Sequence, residues 1–200
     1  MLIGLIISSI SVKFQNFNDN FIQIPTIQFT KHNIMIKTYR QGAVGALLDE
    51  YERAVLDLSQ TISDITDQEL KTIVDNETVD ATCKSIQSVL AHVIGSGYAY
   101  AIYIRKLSGE KINYIADVLR PSVSDYQEDL AAFFAFTAET FKNITDHQLE
   151  QLDNKKKIVT SWGQTYDIEQ ITEHAVLHVL RHRRQIEKFK ILLRGTESVK

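Results

Sequence analysis

Three of the six histidines in this chain stand on one short stretch, Glu173-His-Ala-Val-Leu-His-Val-Leu-Arg-His-Arg-Arg-Gln185, at His174, His178 and His182. Imidazole binds divalent transition metals as a neutral ligand and exchanges protons near neutral pH. The spacing gives the three rings a common direction. Each four-residue step turns an α-helix by about 400°, so successive rings drift by only about 40° and leave the same side. Neighbouring Cβ atoms then lie roughly 5–6 Å apart, which lets two imidazoles meet one ion at about 2.0–2.1 Å each. The residues alone admit three readings: a metal site, a hydrogen-bonded structural cluster, or a metal-free catalytic pair. Two imidazoles on a buried face each need a partner in the core, and a further histidine on a neighbouring helix favours the metal. A zincin-type protease does not fit, because Ala175 and Val179 stand where H-E-x-x-H requires glutamate.

The helix that carries them starts at Asp167-Ile-Glu-Gln170, a capping-box spacing, and runs to about Leu193 before Gly195. Measured from His178, its inner face holds Ile168, Ile171, His174, Ala175, His182, Gln185, Ile186, Phe189 and Leu193, with Arg183, Glu187 and Lys190 turned away. Three further helices are expected. Val44, Leu47, Leu48, Tyr51, Val55, Leu58 and Ile62 recur at helical steps within residues 37–65. Near its start Gly42, Ala43, Gly45 and Ala46 form a small-residue patch that suits close approach of a neighbouring helix. A polar connection leads to a second helix over about 85–107, capped by Ser85 or Thr82. It carries His92 on a face of Ser85, Ser88, Val89, Gly95, Ser96, Ala99 and Tyr103, small enough for the most part to leave room for an ion and a ligand. Cys83 falls on the opposite side of that wheel. The connection 109–122 is long enough to cross the protein. The third helix begins near Ser122–Ser124, with capping-box spacing at Ser124-Asp-Tyr-Gln127, and its Leu130, Phe133, Phe134, Phe136 and Phe141 read as core. Residues 155–166 suit a short hairpin whose Trp162 covers the mouth of the helical assembly or packs on it.

The chain of 200 residues, 44% hydrophobic and 24% charged, suits one domain of ordinary size preceded by a leader. Its net charge of -3 gives no reason to expect a nucleic-acid partner. Without an apolar run of about 18 residues, no membrane span is expected. Eight Gly and two Pro favour long helices over a turn-rich β fold, and one cysteine suits a reducing cytoplasm. Residues 1–34 differ: an apolar run from Leu2 to Ile10 lacks a preceding basic residue, so a signal peptide fits poorly. We read 1–34 as an accessory leader or upstream sequence before a start at Met35, and 35–200 as the domain. The expected fold class is all-α, a four-helix bundle with long connections.

His178-x-x-x-His182-Arg183-x-Gln185, with His174 one step earlier and His92 on the second helix, resembles the DinB/YfiT-like family, whose last helix often reads H-x-x-x-H-R-G-Q. Arg184 stands where that pattern has Gly, on a side of the wheel away from the histidines. The resemblance covers about residues 37–194 and implies an up-down-down-up bundle with His92, His178 and His182 as ligands to zinc or nickel. His174 would then be a rim residue and the nearest candidate for a catalytic base. Gln185 and Tyr103 would support from behind, Gln185 by orienting a ligand or water and Tyr103 by reaching substrate. The resemblance further implies a bacterial enzyme, a thiol S-transferase or hydrolase acting on a small molecule, with a low-molecular-weight thiol as co-substrate and a homodimeric state. The competing expectation is a non-catalytic bundle that binds a metal or small ligand in a stress-response or structural role.

Overall fold

The computed structural model describes residues 38–195, so the leader 1–34 lies outside the described residues. The domain is mostly helical. Helix α1 spans Gly42–Ile62, α2 Asp67–Lys71, α3 Ile86–Leu107, α4 Val123–Thr140 and α5 Ile168–Arg194. A two-stranded antiparallel hairpin, β1 Ile158–Val159 with β2 Thr165–Tyr166, precedes α5. Among the described residues no helix is long and apolar enough to cross a membrane.

The four long helices close a ring in which α1 packs on α5, α5 on α3, α3 on α4 and α4 on α1. Side-chain contacts give their directions. Asp57 meets Arg183, and Asp64 meets Lys190 and Arg194, so α1 and α5 run parallel. Tyr126 donates to the Gln87 carbonyl, and Arg105 donates to Thr140, so α3 and α4 also run parallel. His92 lies beside His182, and Tyr100 beside His174, so α3 opposes α5. Gln127 donates to the Ser59 carbonyl while Tyr51 packs on Phe134, so α4 opposes α1. Helices α1 and α3 are therefore diagonal, as are α4 and α5, and their joining segments must cross the width of the ring. That is why residues 63–85 and 141–167 are long.

Local chemistry sets the helix ends. Ser85 caps α3 through Ser88, and Asp167 caps α5 through Gln170, each as a full capping box. At α4 the cap is Ser122, which accepts from Asp125 N–H at 3.2 Å, and not Ser124. Gln127, expected in that box, instead ties α4 to α1. The first connection also holds the unanticipated α2, although Thr66-Asp-Gln-Glu69 is a readable capping box.

Two further expectations change. Arg183 and Lys190 are not simply turned to solvent: long stems carry their charges along the α1 seam to Asp57 and Asp64. The small-residue patch of α1 is not a helix–helix seam, since Ala43 and Ala46 are exposed and buried Gly45 lies against the Arg40 backbone. Gly42, at φ +76°, brings the helix start against the Asp146 carboxylate, where a Cβ would collide. Gln41 offers α1 no side-chain cap, and Asp146 supplies one from across the fold, accepting from Val44 N–H at 2.9 Å and from Ala43 N–H. Asp146→Ala should therefore speed amide exchange at Ala43 and Val44 relative to the rest of α1. Unchanged exchange at both would show that solvent serves those donors equally well.

Candidate metal centre

His92 projects from the middle of α3, and His178 and His182 from the middle of α5, where the two helices cross in opposite directions. One ring nitrogen from each of the three lies within 4.8 Å of the other two. Nε2 of His92 is 3.1 Å from Nε2 of His178. The rings of His178 and His182 are 4.4 Å apart, and those of His92 and His182 5.2 Å. His182 is buried, while His92 and His178 are half-buried. Gln185 Oε1 accepts Nδ1–H of His182 at 2.9 Å, one helical turn along. That bond leaves Nε2 of His182 as a lone pair for the cluster.

The donor set fits a divalent ion. Two imidazole nitrogens at 2.0–2.1 Å from one tetrahedral centre stand about 3.4 Å apart, close to the separation of His92 and His178. The rings also have the charge state a ligand needs. Burial, then the neighbouring His182 and His92, push His178 down to about 2. Burial likewise lowers His182, against the opposing pull of the Gln185 bond.

This depression has a consequence for metal-free protein. Unfolded, the His178 ring protonates near pH 6.5, whereas folded it stays neutral far below that. Below about pH 6.5 the unfolded chain thus binds one more proton, and stability is lost as pH falls, by up to about 1.4 kcal/mol per pH unit from this ring. Between about pH 6.5 and 5, metal-free wild type should lose about 2 kcal/mol more than His178→Leu in urea unfolding. Parallel losses in the two proteins would contradict the neutral buried ring.

His174 sits one step outward. Its ring stacks on His178 at 6.4 Å and on Trp162 at 5.7 Å, forming a column from the triad to the surface. Burial lowers its pKa. The Tyr166 hydroxyl donates to Gln164 Oε1 and lies 3.3 Å from Nδ1 of His174. The tyrosine oxygen is then the acceptor for His174 Nδ1–H, which leaves the lone pair of His174 on Nε2. Trp162 crowns the hairpin, with Tyr100 and Tyr103 edge-on to it at 6.2 and 5.9 Å. Tyr103 does not approach the triad through any of these contacts. Its hydroxyl accepts Ser161 N–H at 2.8 Å and anchors the Trp162 turn.

The small-residue face around His92 is partly covered. The 109–122 connection crosses it, with Asp117 filling the space that Gly95 leaves, Tyr114 packed on Tyr103 at 5.3 Å, and the Arg120 carbonyl accepting from Gln87. Small residues here admit a crossing chain as well as a ligand. The sequence offers no carboxylate for this site, and the fold brings one within charge reach of it. That residue is Asp80, held low first by Thr82 hydrogen bonds and further by His92, and felt in turn by His182. Nothing in its local sequence points to the histidines, because only chain crossing puts it there.

No family model matches this chain, and no curated protein does. Among solved structures, one described as a conserved protein from Enterococcus faecalis superposes with a TM-score of 0.56 at 16% identity, over 78% of this chain and 100% of that one. At that identity the likeness carries the fold alone.

Proposed function

We propose that this chain is a four-helix bundle of the DinB/YfiT-like type, arranged up-down-down-up, and that it is a metal-dependent enzyme, a thiol S-transferase or hydrolase. The observation that carries this reading is the convergence of His92, His178 and His182 from two helices, with 3.1 Å between the first pair. These three would hold zinc or nickel, since imidazole ligands suit both. A three-histidine divalent centre with an open position acidifies a coordinated thiol or water, so that thiolate or hydroxide is available at neutral pH.

The remaining steps belong to the chain's own groups. Gln185 keeps the proton of His182 on Nδ1. His174 takes a proton at Nε2, with Tyr166 holding its other nitrogen. Trp162 and Tyr100 keep water from the inner rings by covering the His174 side. A small-molecule substrate, a low-molecular-weight thiol as co-substrate, a homodimer and a cytoplasmic location complete the reading. The test is elemental analysis of untagged protein supplied with zinc and nickel, with a chelator-treated control. About one equivalent of metal per chain is expected, with the fold retained after its removal, and less than about a tenth of an equivalent sinks the reading.

A further inference from the structure

The buried side-chain atoms with no hydrogen-bond partner among the described residues include the Tyr51 hydroxyl and Nδ1 of His178. Buried polar atoms almost always have a partner, and two such atoms in one core call for an explanation. The register of the parallel pair α1 and α5 puts them at one level. Hydrogen bonds between these helices join Asp57 to Arg183 and Asp64 to Lys190, each pair 126 positions apart, and Thr61 to Lys190, 129 apart. Tyr51 and His178 are separated by 127 positions (178 minus 51). Both also border Tyr100, whose ring is 5.8 Å from that of His178 and which is the charge neighbour of Tyr51. Tyr51 is fully buried, its ring packed on Phe133 and Phe134 at 6.0 Å each, so its hydroxyl has little freedom to aim elsewhere.

His178 uses Nε2 toward His92. A histidine that offers Nε2 as a lone pair carries its proton on Nδ1, and a metal-binding histidine ordinarily donates that N–H to a supporting acceptor. We propose that Tyr51 is the positioning residue for His178: through one bridging water its hydroxyl supports Nδ1–H and holds Nε2 toward the other two rings. Gln185 does this for His182, and Tyr51 does it for His178 from the neighbouring parallel helix α1. The inference rests on the reading of the triad as a metal centre.

Tyr51→Phe in the full chain keeps the ring and removes only the oxygen. Zinc affinity, measured by competition with a chelating dye, should fall about 10–100-fold. Metal-free melting should change little, because the bridging water stays behind to accept Nδ1–H. A purely structural Tyr51 gives the reverse pattern, lower melting with unchanged zinc affinity, and that result overturns the assignment. Nitrogen NMR of metal-free protein provides a readout independent of zinc. The Nδ1–H form of His178 should dominate in wild type and lose ground in Tyr51→Phe, and identical tautomer populations overturn the contact. Failure of wild type to bind zinc defeats the metal reading itself, and the tautomer comparison then decides the hydroxyl–imidazole contact separately.

Discussion

His178→Ala is expected to abolish divalent-metal binding while the helices remain formed. His178 occupies the middle of the cluster: its ring is 4.4 Å from His182, 5.0 Å from His92 and 6.4 Å from His174. Without it, two imidazoles on different helices remain, and a two-histidine site lacks the third protein ligand found in catalytic zinc centres. Elemental analysis should fall from about one equivalent to background, whereas circular dichroism should keep its helical signature. His174→Ala is the control that separates the roles. His174 contacts Trp162 and Tyr166 on the outer side, so its loss should leave metal stoichiometry unchanged and depress turnover alone. If His178→Ala retains a full equivalent, or if His174→Ala loses it, the ligand set is wrong.

The second large effect concerns the core on the other side of α3. Phe133 is fully buried, packed on Tyr51 and Tyr98 at 6.0 and 6.2 Å, and its ring lies 2.6 Å from where a Cβ on Gly97 would stand. Phe133→Ala should cost about 3–5 kcal/mol, combining lost transfer energy with the cavity left behind. That is a large part of a typical domain's total of about 5–15 kcal/mol. Gly97→Ala should destabilise by about 1–3 kcal/mol, because the ring must move out of the way. The sign should reverse in the Phe133→Ala background. There the added methyl has space, and alanine is the better helix former by about 1 kcal/mol. Urea unfolding of the four proteins in a double-mutant cycle measures this directly. Additive costs would mean that Gly97 and Phe133 do not share that space.

Part of the candidate site is legible in the amino-acid sequence. His174, His178 and His182 share one side of α5 because a period of four residues nearly matches the helical turn. The place of Gln185 beside His182 is readable for the same reason, as the two are three residues apart on one helix. The role of Tyr103 is not. It lies in line with His92 on the wheel, yet the side chain reaches outward to the Ser161 backbone, and a wheel carries no information about how far a side chain extends. The cap of α1 is invisible for a different reason: Asp146 is more than a hundred positions from the amides it serves.

By itself the amino-acid sequence determined the helical character of the domain, the four long segments, the cap at Asp167, a cap for α3 at Ser85 or Thr82, and the histidine stripe of α5. These follow from periodicity and short-range hydrogen bonding, which act between residues a few positions apart. Only the tertiary structure decided which helices are neighbours and in which direction each runs. It alone set His92 at 3.1 Å from His178, laid the 109–122 connection over Gly95, and brought Tyr51 to the level of His178. Those placements depend on how whole faces pack and on how long connections cross the ring. No local pattern encodes the distance between two residues on different helices.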